Sequence, residues 1–197
     1  ATRELKNLKN VICTSSSEVY GTALTSSISE EHPLNPTSPY AASKVAADRY
    51  CFSYIKTYNL PITIIRPFNT YGPRHTYDVV PKFIRLALNN KPITVHGDGK
   101  QSRDLTYVSD AVEAFLKVGI NKKTIKKVIN FGTGKHQEII YLAKQIKKLS
   151  NSKSKIIYIP ERKAEVKRLT CNSNLCKKLT GWYPKIDIIT GLKKNIE

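Results

Sequence analysis

The sequence predicts an α/β protein organised around a doubly wound parallel sheet, and three observations carry that expectation. Asn10-Val11-Ile12-Cys13-Thr14 and Pro61-Ile62-Thr63-Ile64-Ile65 are short β-branched runs, the pattern of strands buried on both faces. Between them a helical stretch opens at Ser38-Pro39 and closes near Tyr58-Asn59, which gives the helix-then-strand alternation of such sheets. Polar and charged residues follow each run directly, at the strand ends where open α/β sheets bind ligands.

At 197 residues the chain can bury a real core, as one domain or as one domain with a small lobe. Hydrophobic residues make up 40%, no apolar run reaches membrane-spanning length, and no basic-then-apolar leader opens the chain, so no membrane partner is expected. Cys13, Cys51, Cys171 and Cys176 form neither a CxxC pair nor a zinc spacing. Neither a metal nor a disulfide framework is expected, and a cytoplasmic, reducing setting fits best. The net charge of +18 is uneven, about +3 over residues 1–116 and +15 over 117–197. The lysines are spread over helix faces and turns without interleaved aromatics, so a solvated surface is expected and nucleic acid is not.

Taken in order, Leu5 and Leu8 with the charges between them read as the tail of a helix, so a preceding segment is expected. The strand 10–14 is followed by Ser15-Ser16-Ser17-Glu18-Val19-Tyr20-Gly21, either a Ser-rich turn or a set of hydroxyls and a carboxylate at a ligand site. Residues 22–37 lack periodicity and read as loop. The helix from Pro39 shows Val45, Arg49, Phe52 and Ile55 at helical spacing as its partly apolar face. After the strand 61–65 comes Arg66-Pro67-Phe68-Asn69-Thr70-Tyr71-Gly72-Pro73-Arg74, a Pro/Gly turn whose Asn69 and Arg74 suit a phosphorylated ligand.

Asp78 to Asn89 reads as a helix with Val80, Phe83, Ile84 and Leu88 inward, and Ile93-Thr94-Val95 as a short strand. Arg103–Val108 reads as a strand, and Ser109 as the cap of a helix from Asp110 to Gly119. Val128–Phe131 is a strand closed by Gly132-Thr133-Gly134, which lacks the further glycines of a dinucleotide fingerprint and reads as a turn. His136–Leu149 reads as a Lys-rich amphipathic helix with Ile140, Ala143 and Ile146 inward, and Ile156–Ile159 as a strand. Leu175–Leu179 and Ile188–Ile196 give two short helices around Gly181-Trp182-Tyr183-Pro184.

The chemistry concentrates in Ser38-Pro39-Tyr40-Ala41-Ala42-Ser43-Lys44. Ser38 caps, Pro39 suits the first helical position, and the four-residue spacing sets Tyr40 and Lys44 on one face. An ammonium beside a phenol favours the phenolate, which makes a tyrosine a general base. An ordinary exposed Tyr and Lys is the other reading of this heptad alone.

Together, SSSEVYG (15–21), SPYAASK (38–44), RPFNTYGPR (66–74), GDGKQSRDLTYVSD (97–110) and LTGWYP (179–184) resemble the extended short-chain dehydrogenase/reductase family, in its nucleotide-sugar epimerase/dehydratase branch. The resemblance covers residues 10 to 197 and lies in the order and spacing of the motifs. It implies a Rossmann-like sheet plus a smaller α/β substrate lobe. Residues 1–72 then belong to the cofactor-binding part, and 73–197 mainly to the lobe, with a strand near 104–131 returning to the first sheet.

Site roles follow from the same resemblance. Ser16 matches the hydroxyl that holds the reacting sugar oxygen, Tyr40 the base for the sugar 4-hydroxyl, and Lys44 the lysine that activates it and holds the nicotinamide ribose. Pro67 and Phe68 match backbone that lines the nicotinamide of NAD. Asn69 and Arg103 match ligands of the nucleotide diphosphate, and Arg162 and Glu165 the late pair that reaches the diphosphate and ribose. Ser17, Arg74 and Val95 complete the expected substrate lining. Glu18 matches a carboxylate placed to take an acidified C5 proton, which makes a nucleotide-sugar 4,6-dehydratase the leading expectation. The 4-epimerase, the uronate decarboxylase and a non-catalytic polyanion binder are the alternatives.

Ser17 departs from the acid of the dTDP-glucose type, and Asn172 and Ala164 stand where many relatives have Asp and Gly. The family's strand–GxxGxxG–helix opening is not within these residues. Roughly a hundred residues, that opening among them, are expected to precede this stretch, at ~30 per βαβ unit. On that expectation this stretch alone would be inactive and would expose a raw sheet edge, and the full-length protein would be a homodimer.

Overall fold

The computed structural model describes residues 2–197. In chain order the elements are β1 (Val11–Thr14), α1 (Pro39–Tyr58), β2 (Ile62–Pro67), β3 (Asn69–Tyr71), α2 (Val79–Leu88), β4 (Ile93–His96), β5 (Ser102–Tyr107) and α3 (Val108–Ile120). There follow β6 (Val128–Phe131), β7 (His136–Glu138), α4 (Ile139–Leu149), β8 (Ile156–Ile159), α5 (Asn174–Thr180) and α6 (Ile188–Ile196). The architecture is α/β with mostly parallel pairing. Among the described residues, no helix is long and apolar enough to cross a membrane.

One sheet runs β1-β2-β6, all parallel, with Val11 opposite Ile62 and Ile64 opposite Val128. β2 is the middle strand, and its Ile62 to Ile65 are buried on both faces, as the unbroken β-branched run dictates. A second sheet pairs β3 with β5 in parallel and β5 with β7 antiparallel, and a third joins β4 to β8 in parallel. α3 and α5 lie over the first sheet, where Ile65, Ala114, Ile129, Phe131 and Trp182 make one core. Trp182 donates its indole N–H to the Asp110 carbonyl at 2.9 Å, and the Asp110 carboxylate takes the Lys185 and Ile186 amides, which pins the tail to the first turn of α3. α2, α4 and α6 build a separate core on β4 and β5 around Phe83, Val95, Leu142 and Ile146.

In the turn Gly132-Thr133-Gly134 the last two amides are taken up within the protein. The Asp104 carboxylate accepts from the Thr133 and Gly134 N–H groups at 2.7 and 2.8 Å and from the Cys171 N–H at 3.0 Å. These amides therefore face a carboxylate of the protein itself, in keeping with the turn reading.

Five local expectations need correction. The inward face of α1 is Ala41, Lys44, Val45, Asp48, Cys51 and Ile55, while Arg49 and Phe52 face outward. The helix packs its start against the turn after β1, and that contact rotates the buried face by about one residue relative to the apolar pattern. α3 starts at Val108 straight out of β5, with Tyr107 in the cap position and no side-chain cap, so Ser109 lies inside the helix. His136–Glu138 is a strand, because Arg103 and Asp104 of β5 offer a free ladder edge and the amphipathic pattern begins only at Ile139. Leu88 is exposed and yields its core place to Ala87, while Ile140 packs half-buried against the core beside the buried Ile139. At the N-terminus, Thr2–Glu4 form a single 3-10 turn and Leu5 is exposed.

Candidate active site

The C-terminal ends of β1 and β2 and the first two turns of α1 form the floor of one cleft of about 670 Å³. Ser38 starts α1 as expected: its side chain accepts the Ala41 amide at 3.1 Å, and Pro39 occupies the first turn. This capping directs Tyr40 and Lys44 into the cleft on successive turns. The Lys44 ammonium lies 5.9 Å from the Tyr40 ring centre and donates to the Thr14 carbonyl at 3.1 Å. One of its three N–H donors is thereby used at the end of β1.

Opposite them, Ser16 caps a 3-10 turn over Ser17–Tyr20, its hydroxyl accepting the Glu18 amide at 3.2 Å. Gly21 closes the turn at φ 65°, where a Cβ would meet the Asn35 carbonyl oxygen at 2.3 Å, so the sharp exit requires glycine. The turn holds Ser16, Ser17 and Glu18 on the cleft wall. Burial pushes the Glu18 carboxyl above the ordinary range. Arg103 partly offsets this, while Asp78 and Glu165 add to it.

Pro67, Phe68 and Asn69 continue from β2 along the cleft. Phe68 is buried against Tyr20, with ring centres 6.5 Å apart. The Asn69 side-chain oxygen is buried without a protein partner, and the residue lines the cleft. Arg103, on β5, reaches in from the far wall. It donates to Glu165 and to the Val166 carbonyl, each at 2.7 Å. Arg162 and Glu165 lie on the loop after β8, where Thr37 donates to the Ala164 carbonyl at 3.4 Å across the rim. A second pocket of about 370 Å³ adjoins the cleft and shares Tyr77, Asp78, Arg103, Arg162 and Glu165 with it. Thr94, His96 and Gln101 line its far side.

The fold thus brings together Ser16, Ser17, Glu18, Tyr40, Lys44, Pro67, Phe68, Asn69, Arg103, Arg162 and Glu165 in one cleft. It does not bring in two residues. Val95 is fully buried in the core, because β4 alternates and turns Thr94 and His96, not Val95, toward the second pocket. Arg74 sits at φ 69° in the turn after Gly72 and faces a surface groove beside Pro81 and Arg85 instead.

Sequence reading missed His75, Tyr77 and Asp78, which line the cleft from the segment leading into α2. The only signal was position, since a helix start following the 66–74 motif had to lie near it.

A family model described as GDP-mannose 4,6 dehydratase matches residues 1–195. The chain is 38% identical to dTDP-D-glucose 4,6-dehydratase of Homo sapiens over 96% of its own length and 56% of that protein. The structure of dTDP-glucose 4,6-dehydratase from Bacillus anthracis, solved with NAD, is 32% identical with a TM-score of 0.88 over 95% of this chain and 60% of that one. UDP-glucuronic acid 4-epimerase from Bacillus cereus, solved with UDP-glucuronic acid and NAD, gives 29% identity and a TM-score of 0.93 over 98% of this chain and 62% of that one. The chain therefore spans somewhat over half the length of these relatives, and its fold is the matching part of their Rossmann-like structure. This chain belongs to the extended short-chain dehydrogenase/reductase family, among the nucleotide-sugar dehydratases and epimerases.

Proposed function

We propose that the chain carries the proton-transfer and substrate-binding residues of an NAD-dependent nucleotide-sugar 4,6-dehydratase. The observation that carries this reading is the single cleft in which Tyr40 and Lys44 face Ser16 and Glu18, with Arg103 and Arg162 at its far end. Tyr40 takes the proton of the sugar 4-hydroxyl while Ser16 holds that oxygen. Lys44 stands beside the phenol, its ammonium 5.9 Å from the ring centre. Glu18 takes the C5 proton, which the 4-keto group acidifies, and passes a proton to the departing C6 hydroxyl so that water leaves. C5 is then reprotonated from solvent through Glu18. Arg103, Arg162 and Asn69 hold the diphosphate, for which guanidinium forks are well shaped.

The residues present fit the nicotinamide end of NAD. Lys44 keeps two free donors beside the C-terminal ends of β1 and β2, next to Ser15 and Pro67. Bound there, NAD would take a hydride from sugar C4 and return it at C6. A 4-epimerase is the second reading, favoured by the TM-score of 0.93 with the Bacillus cereus epimerase and by the same Tyr40, Lys44 and Ser16 set. The exposed ring series Tyr50, Tyr54 and Tyr58 along α1 supports a homodimer that covers this helix. The free Cys13, Cys51, Cys171 and Cys176 fit a cytoplasmic setting.

The test incubates the full natural polypeptide and NAD with dTDP-glucose, UDP-glucose, UDP-N-acetylglucosamine and GDP-mannose in turn. Loss of one water with a 4-keto-6-deoxy product supports the dehydratase. An inverted 4-hydroxyl with unchanged mass assigns the epimerase instead, and no turnover of any of them refutes both.

A further inference from the structure

Behind the cleft wall lies a buried polar network that the proposed chemistry does not use. Asp48 is fully buried on α1, one turn beyond Lys44, and Arg66 on β2 is 2% exposed. The Asp48 carboxylate accepts from Arg66 Nε at 2.8 Å and, on the same oxygen, from the Ser15 hydroxyl at 2.8 Å. Arg66 Nη1 donates onward to the Tyr20 hydroxyl at 2.8 Å, and its guanidinium lies 4.9 Å from the Tyr20 ring centre. Tyr20 in turn donates to the Asn130 side-chain oxygen at 2.8 Å, and the Asn130 backbone N–H donates to Glu30 at 2.8 Å. Burial pushes the Tyr20 phenol up to about 12, so it stays protonated and keeps donating.

A buried ion pair contributes little net stability compared with apolar side chains of like size, so its place in the fold calls for another account. This one has a geometric position. It ties α1, which carries Tyr40 and Lys44, to β2, and through Ser15 to the residue preceding Ser16. It also grips Tyr20 at the far end of the turn that begins with Ser17 and Glu18. Both ends of the Ser16–Glu18 segment are therefore referenced to the helix that holds the base. Neither Asp48 nor Arg66 lines the cleft.

We propose that Asp48 and Arg66 are positioning residues, whose buried pair fixes Ser16 and Glu18 across the cleft from Tyr40 and Lys44. The inference rests on the functional reading above for its kinetic arm only. The test compares the full natural polypeptide with the double variant Asp48→Leu/Arg66→Met, which removes both charges together and leaves neither buried alone. Thermal melting confirms that it is folded. The expected result is faster amide hydrogen exchange over residues 15–20, by about tenfold or more, and a kcat lower by about 10- to 100-fold with KM nearly unchanged. A single Arg66→Lys variant keeps the charge and is expected to recover part of the exchange protection. Parent-like exchange over 15–20 in the folded double variant overturns the proposal, as does a parent-like kcat. If the parent turns over no nucleotide sugar, the functional reading fails and the exchange result alone decides this one.

Discussion

Arg103 and Glu165 meet at 2.7 Å in the wall shared by the cleft and the pocket beside it. Arg103 is further held by the Val166 and Ser102 carbonyls at 2.7 and 3.0 Å, so its fork is set before any ligand arrives. A guanidinium fixed in this way binds a diphosphate without losing side-chain freedom on binding.

Replacing Arg103 by Met leaves Glu165, itself largely buried, without its cation. Loss of stability on the order of 3 kcal/mol is expected, read as a lower melting temperature. KM for the nucleotide sugar is expected to rise more than tenfold. Adding Glu165→Leu should recover the melting temperature and not the KM, which separates the structural part of the pair from its binding part.

Glu18 is expected to set the acidic limb of the pH–rate profile. Burial raises its carboxyl pKa, so the anion needed for C5 proton removal is lost at higher pH than for an ordinary glutamate. Glu18→Gln is expected to abolish water elimination. The sign for stability follows from the same shift. A carboxyl that binds its proton more tightly in the fold stabilises the fold in acid, and that contribution is lost as pH rises through the raised value. Glu18→Gln should therefore raise the melting temperature at neutral pH, and the difference should vanish below about pH 4, where both states carry the proton. A variant that melts below the parent at pH 7 would contradict this account of Glu18.

Ala164 sits at φ 55°, in the left-handed region where a Cβ is unfavourable. The cleft-rim loop holds it there through the hydrogen bond from Thr37. Ala164→Gly is expected to stabilise the chain by about 0.5–1 kcal/mol, the relief of strain exceeding the added freedom of the unfolded chain. Thermal melting checks this, and a destabilised Gly variant would show that the loop bears no strain.

Much of the fold was legible where the signal is local. Ser38-Pro39 and Asn59 bound α1 because a cap hydroxyl, a first-turn proline and a left-handed end residue act within one turn. The strands 62–67 and 128–131 were legible because burial on both faces leaves unbroken apolar runs, and 11–14 was legible by the same kind of run although it is only half-buried, with Thr14 exposed. Parts set by distant partners were not. His136–Glu138 became a strand through pairing with β5. Val95 and its neighbours divide between core and pocket according to what packs on β4. Asp48 and Arg66 stand 18 residues apart with no pattern joining them. For the site, motif residues on the strand ends were found together, whereas His75, Tyr77 and Asp78 reach the cleft only through the placement of α2.

The most direct measurement is turnover of the preferred nucleotide sugar by Tyr40→Phe in the full natural polypeptide with NAD. The phenylalanine keeps the ring beside Lys44 and removes only the hydroxyl. The account predicts that turnover falls by about 10²- to 10⁴-fold with substrate binding retained. A variant that turns over at the parent rate would show that some other group moves the proton.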